Sequence, residues 1–514
     1  MGTLKKWTGL CIFLLGMFVF FKMFKIQEIS NLPMGSFHCW RQADCISMTN
    51  EFYAGKATFY HPTTHYVKKD GTRFASGEFP IINKTVASIY KITGPSLKVY
   101  RYTIYFFYLI GFIFLFFIFF ELSKQPIGSA LLSLLIASSS ILVFYSINFL
   151  PDVPALSLGI ISLYAWILAR KKKNLGLYAL SILILLVACL IKLTMLILLG
   201  TFALVILVEM IIHARRPYSF PVLGFILMGL LMIVGWYYHS YQLDHTHAPF
   251  IFLTETRSYW KTYFLEKPVI WNDIRFKWLP QVFITPVWYF VLGAGIMAAA
   301  FGKKVRIEHK LMTASGLVAA IFFFFMMFRQ FMHHDYLWID LLIVLILFAA
   351  ITIESIGNSV RKYPKCLFAG FIFVLICLQT NETKKILNER YFSLDNNIFY
   401  NQNLIGFKQE LRNHGIEKTD LVLSIPDASP NITLTVMDQY GFTLYREDKK
   451  TEEAVFEKID LGARYLIVSN PAEFSEAYLQ PFVTETFFHY KDIWVYNLQD
   501  KKNLLNRTSS SYLY

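Results

Sequence analysis

Residues 175–212 read LGLYALSILILLVACLIKLTMLILLGTFALVILVEMII. Two apolar runs, 175–191 and 194–213, flank one polar turn, Lys192-Leu193-Thr194. Each run is close to the ~20 residues a helix needs to cross the hydrocarbon of a bilayer. Outward from this pair the pattern repeats at 7–24, 102–121, 127–149, 153–169, 219–241, 281–301, 311–330, 336–356 and 366–380. The expected fold is therefore an α-helical integral membrane protein of about eleven spans. The run from 142 to 160 is interrupted by Asn148, Pro151, Asp152 and Pro154. Lys5 and Lys6 ahead of the first run resemble a signal peptide, but no small-residue cleavage site follows, so an uncleaved first helix is expected.

Of the 514 residues 55% are hydrophobic and 16% charged, against roughly 25% charged in soluble domains. The composition is uneven. Residues 1–380 carry the apolar runs, whereas 381–514 spread Asn, Asp, Glu and Lys as a water-soluble domain does. There, 419–425, 464–469 and 493–498 read as short buried strands, and Phe399–His414 and Thr451–Leu461 as helices, so a small α/β domain is expected at 381–514. Asp427 and Asp438 read as turn and cap residues.

Loop charge sets the orientation. With the N-terminus inside, sixteen basic residues lie in inner loops: Lys5, Lys6, Lys124, Arg170–Lys173, Arg215, Arg216, Lys303, Lys304, Arg306, Lys310, Arg361, Lys362 and Lys365. The short outer turns hold Lys192 and Arg329. The expected arrangement is a cytoplasmic N-terminus in the cell (inner or plasma) membrane, with 25–100, 242–280 and the C-terminal domain outside. The net charge of +14 sits in these loops rather than on one folded face, which argues against nucleic-acid binding. Cys39 and Cys45 share one loop, where a disulfide is open. The other four cysteines lie in or beside apolar runs as small core residues.

Five outer stretches carry chemistry-bearing side chains. His38-Cys39-Trp40-Arg41-Gln42-Ala43-Asp44 offers a carboxylate able to act as a base and an Arg able to hold a phosphate, or simply an ion pair that orders the loop. In Gly77-Glu78-Phe79-Pro80, Glu78 is either a helix-start charge or a second carboxylate of a site. Asp152, in Asn148-Phe149-Leu150-Pro151-Asp152-Val153-Pro154, is costly at a membrane edge unless wet or paired. Lys192 suits either the headgroups or an anionic lipid phosphate. Arg329-Gln330-Phe331-Met332-His333-His334-Asp335-Tyr336 suggests an oriented His–Asp pair or a phosphate contact rather than a metal, since consecutive helical residues diverge and no third ligand spacing is evident. All five fall on one side of the membrane, as a site for an anionic lipid headgroup requires. The loop 25–100 between the first two spans also holds two helical stretches, Ala43–Tyr53 and Pro80–Ile92, suited to the membrane surface.

In this order of parts the chain resembles the GT-C membrane glycosyltransferases, above all the family-39 group of protein O-mannosyltransferases and bacterial aminoarabinose transferases. The likeness covers residues 1 to about 380: an inward first helix, a long outer loop with two surface helices, Arg101 opening the second span, the broken Pro151-Asp152 hairpin, the Lys192-Thr194 turn and the His334-Asp335-Tyr336 turn. GEFPIINKTVASIYKITG (77–94) looks like the family's second surface-helix stretch, and WRQAD (40–44) like a bacterial subset. The resemblance implies transfer of a sugar from a polyprenyl-phosphate carrier to a lipid, glycan or protein acceptor at the outer face, without cofactor or metal. It makes Asp44 the first choice for the base and Glu78 the second. The family's adjacent Asp-Glu is here replaced near His38 and Cys39, and Phe79 stands where aminoarabinose transferases carry a phosphate-binding Lys. The donor phosphate therefore falls to Arg41, Lys84, Arg101, Lys192 or His334. His38, Trp40, Gln42, Asp152, His333, Asp335 and Tyr336 are further site candidates. The alternatives are a lipid-linked glycan polymerase or ligase, a transporter or flippase, and a scaffold that binds lipid-linked sugar. No internal repeat is visible, and the mid-span segments are nearly free of charge, which weighs against a transporter.

Overall fold

The computed structural model describes residues 2–75, 77–212, 218–246, 257–357, 362–393, 402–427, 429–445 and 450–499. Arg215, Arg216 and Arg361 of the charge pattern lie outside them. The chain divides into two compact units. One holds Met1–Asn31, Tyr100–His239 and Leu253–Glu389; the other holds Leu32–Val99, Ser240–Phe252 and Arg390–Tyr514.

The first unit is the multi-pass membrane part. Each of the eleven apolar runs is mostly helical over its described residues. Among the described residues, eight helices are long and apolar enough to cross a membrane: Leu4–Met23, Leu97–Ser123, Asp152–Lys172, Leu193–Ile212, Ser219–Thr246, Ile307–Met326, Leu337–Gly357 and Lys365–Phe392. Two bent helix pairs are apolar enough only when taken together: Pro126–Ala137 with Ser140–Ser146, at 76°, and Glu266–Val282 with Thr285–Phe301, at 86°. Leu175–Ile191 is a shorter apolar helix. The last helix runs unbroken from Lys362 to Phe392.

A bend in a membrane helix exposes backbone polar groups that lipid cannot satisfy. Here the last helix satisfies them. Gln379 Oε1 accepts from the backbone N–H of Ile284, and its Nε2 donates to Ser140 Oγ at 3.2 Å. Thr383 Oγ1 donates to the Ser138 carbonyl at 2.7 Å. Ser139 Oγ donates to the Val282 carbonyl at 2.8 Å, joining the two breaks directly. Leucine at Gln379 takes the side-chain acceptor away from the partly buried Ile284 amide. Gln379→Leu is expected to cost about 1–3 kcal/mol, read as a lowered unfolding temperature of the detergent-solubilised protein.

The helix ends that the charge pattern assigns to the inner side also meet. Arg170 pairs with Glu209 and Glu308, while Glu354 takes His309 at 2.6 Å and Arg306 at 3.4 Å. Trp166 packs flat on Phe202 and edge-on to Tyr178, closing the space between these helices.

The second unit is built on a five-stranded sheet, β1 (Val422–Ile425), β2 (Gly441–Thr443), β3 (Tyr465–Val468), β4 (Thr486–Tyr490) and β5 (Ile493–Asn497), in the order β2-β1-β3-β5-β4. β2, β1 and β3 run parallel; β5 and β4 are antiparallel. Strand alternation puts Leu423, Ile425, Leu466, Val468 and Tyr496 into one core, and Val422, Ile467, Ile493 and Val495 into another on the opposite face. The expected strands are β1, β3 and β5, whose apolar runs mark burial. β2 has three residues and β4 is mostly exposed, so neither carries that signal. The expected helices appear as Phe407–Asn413 and Glu452–Asp460; the start of the first, at Phe399, lies outside the described residues.

The edge of β2 is covered by the segment around Tyr66, whose neighbour Val67 donates its N–H to the Gly441 carbonyl at 2.8 Å. A Cβ at position 441 would stand 2.0 Å from the Val422 carbonyl oxygen, so only glycine fits there. The two helical stretches of the 25–100 loop are Cys39–Tyr53 and Ile81–Thr93. Cys39 and Cys45 are six residues apart on one helix, a rise of about 9 Å, beyond the reach of a disulfide.

Candidate functional site

In the first unit, three of the sequence stretches converge. Pro151 ends the break after Ser146, and Asp152 opens the next helix, where the helix dipole favours its charge. Lys192 lies in extended backbone at the joint between Leu175–Ile191 and the short 3₁₀ turn Leu193–Met195, so its side chain leaves the helical register. Its Nζ meets Asp152 Oδ1 at 2.9 Å with both side chains almost wholly buried. The same ammonium lies 4.9 Å from the ring of Tyr336. Tyr336 packs against His334 at 5.3 Å and Tyr145 at 6.2 Å, and the Tyr145 hydroxyl donates to the buried Asp335 carboxylate. His333, one residue before His334, is exposed.

Arg101 is buried as well. Its guanidinium donates to the Ile29 carbonyl and lies 4.6 Å over the ring of Phe149. Phe149 belongs to the broken hairpin, so Arg101 braces the segment that positions Asp152.

In the second unit, the helix Cys39–Tyr53 carries a polar stripe along one face, Arg41, Asp44, Ser47 and Glu51, at the spacing a helix aligns. His38 caps its start in a left-handed conformation, φ 54°. Gln42 is fully buried and donates to the carbonyls of Gly35 and Phe37, tying down the chain before the helix. Arg41 pairs with Glu78 at 2.8 Å. Glu78 therefore holds Arg41 in an ion pair, and the helix behind it starts later, at Ile81. Trp40 lies edge-on to Tyr445. Lys84 lies 5.2 Å from the Phe52 ring.

Asp44 is the outstanding group. It is buried, with Asn431 Nδ2 3.4 Å from Oδ1 and also bonded to Ser47 Oγ at 2.7 Å. Burial raises its pKa from the usual carboxylate range to about 7, opposed by Arg41 and by hydrogen bonds from Asn431 and Trp40. Asp427 adds a little to the rise. Asp427 itself accepts from Ser429 and Thr433 and shapes the loop that presents Asn431, as a turn residue should. A carboxyl poised near neutrality is what proton transfer at physiological pH asks for.

Sequence reasoning missed several of these groups. Tyr145 sits in an apolar run with nothing to mark it. Asn431 is remote in sequence from Asp44, and no local spacing joins them. A charged cluster behind Asp44 was also unforeseen. Glu51 contacts Arg73 at 2.7 Å, Lys418 at 3.1 Å, His65 at 3.4 Å and the Tyr440 hydroxyl. Asp438 binds Lys418 at 2.7 Å, Lys408 at 2.6 Å and His65 at 3.3 Å.

The surrounding cations and His65 outweigh burial and hold the Glu51 pKa down to about 2. The folded-state pKa is depressed, so Glu51 contributes stability above pH ~4.5 that is lost as pH falls toward 2. Glu51→Gln is expected to cost about 3–5 kcal/mol at pH 7 and much less near pH 2, measured by denaturation at the two pH values.

No family model matches the sequence, and no curated protein is detectably similar to it. Solved structures are. ArnT from Cupriavidus metallidurans in the apo state is 12% identical, covers 94% of this chain and 97% of its own, and superposes at a TM-score of 0.57. The fold is GT-C. The oligosaccharyltransferase of Archaeoglobus fulgidus is 10% identical over 91% of this chain and 70% of its own, at a TM-score of 0.60. The arabinofuranosyltransferase AftD from Mycobacteria is 12% identical over 95% of this chain and 41% of its own, at 0.50. The GT-C fold explains the order of parts: spans interrupted at polar turns, with long connecting segments gathered into a second unit. Among the described residues, no three His, Cys, Asp or Glu side chains group as a metal site would.

Proposed function

We propose that this GT-C protein is a glycosyltransferase that moves a sugar from a polyprenyl-phosphate carrier to an acceptor at the outer face of the cell membrane. The observation that carries the reading is Asp44, a buried carboxyl with a pKa near 7 on a GT-C scaffold. ArnT is also known bound to undecaprenyl phosphate, and the archaeal oligosaccharyltransferase has been captured tethered to an acceptor peptide. The likeness to ArnT, at a TM-score of 0.57 in its apo state, supports a lipid-linked donor here, and the tethered peptide supports a separate acceptor.

The acceptor hydroxyl oxygen attacks the anomeric carbon while the bond from that carbon to the phosphate oxygen breaks. Asp44 takes the hydroxyl proton. The departing polyprenyl phosphate gains a negative charge, which a cation stabilises. Lys192, with His334 beside the same tyrosine, fits that task best: its ammonium already holds an anion, the Asp152 carboxylate. Arg101, bound to a backbone carbonyl and a ring, acts as a positioning residue. Single displacement inverts the anomeric centre. The scaffold and flippase readings separate from this one in membranes given labelled polyprenyl-phosphate sugars. A transferase makes labelled glycoconjugate and loses the ability in Asp44→Asn, whereas a flippase moves label across the bilayer in both.

A further inference from the structure

The second unit contains a cavity of about 520 Å³ that the proposed reaction does not use. It opens on the side of helix Cys39–Tyr53 away from Asp44: Ile46, Asn50 and Tyr53 line it, about 180° around the helix from the Asp44 stripe. The walls are mostly apolar, with Ile46, Tyr90, Leu97 and Val436 among them, while Lys408, Lys418 and Asp438 stand at the boundary. The size is that of sites for drug-sized ligands, and an apolar body with a few polar anchors is their usual composition.

The charged cluster to which these three belong does not balance. Lys408, Lys418 and Arg73 contact one another's partners, Glu51 and Asp438, so three cations face two carboxylates, with His65 buried between them. Lys408 is the most accessible of the three, its side chain 54% exposed. One further anion would neutralise the group. We propose that this cavity binds an anionic amphiphile, its apolar part among Ile46, Tyr90 and Leu97 and its single anionic group against Lys408 and Lys418. The proposal stands apart from the transferase reading, because neither Asp44 nor Lys192 takes part.

The test is equilibrium binding of radiolabelled decyl phosphate to the full chain in nanodiscs of zwitterionic lipid, with empty nanodiscs as background. Saturable binding is expected, weakened by about tenfold or more in Lys408→Glu and, independently, in Ala54→Trp, which fills the cavity. Lys69→Glu, an equal charge change at a surface lysine paired with Glu457, should leave it unchanged. Competition by decanoate but not by inorganic phosphate supports an amphiphile over a free anion. Absence of saturable binding overturns the proposal. So does binding indifferent to both cavity variants, equal competition by inorganic phosphate, or equal binding of decyl glucoside.

Discussion

Asp44→Asn is expected to lower sugar transfer by about a hundredfold or more, the range for loss of a general base, while the protein still folds. The wild-type rate should rise with pH through about 7, where Asp44 loses its proton, and the residual activity of the variant should lack that limb. Stability moves the other way. A folded-state pKa raised above the unfolded value of 3.8 means that the folded state holds its proton more tightly. That contribution is fully present below pH ~4 and is lost as pH rises through about 7. Above pH 7 the wild type buries a charge and the asparagine does not, so Asp44→Asn should be as stable as wild type or more so. A merely structural carboxylate would give the reverse pair of results: intact turnover per folded molecule, and no pH limb to lose.

Lys192→Met is the second large effect. It removes the cation assigned to the departing phosphate and leaves the fully buried Asp152 carboxylate without the ammonium 2.9 Å away. Breaking one side of a buried pair costs about 3–5 kcal/mol, so the variant should express poorly or melt early. Lys192→Met combined with Asp152→Asn removes both charges and should recover most of that stability, since an uncharged amide needs no counter-ion. Transfer should stay near background in the double variant. If activity returns together with stability, the pair is structural and Lys192 does not stabilise the leaving group.

Membrane spans were legible because hydrocarbon imposes a length and a composition that a sequence displays directly. The broken hairpin was marked by Pro151 and Pro154, and the polar turn by Lys192, both visible against apolar neighbours. That Asp152 and Lys192 meet was not legible in detail, yet their placement on one side narrowed the choice. The helix Cys39–Tyr53 reads from its composition from Ala43 onward, but its first turn and the burial of Asp44 do not. It depends on Asn431 and the loop shaped by Asp427, and such long-range packing leaves no periodic trace. The Gln379 bracket over the two helix breaks is hidden for the same reason: a glutamine near the end of an apolar run looks like a boundary, and its partners are set by tertiary structure. Edge strands β2 and β4 escape because three residues, or an exposed face, provide no burial pattern.

Wild-type protein and Asp44→Asn, reconstituted in proteoliposomes with a panel of sugar-labelled polyprenyl phosphates and a total extract of envelope acceptors, should differ sharply. One donor is expected to yield labelled product and free polyprenyl phosphate in equal amounts with the wild type, rising with pH through about 7, and almost none with Asp44→Asn. Equal product formation by both proteins would contradict it, as would label that crosses the bilayer while still attached to its lipid.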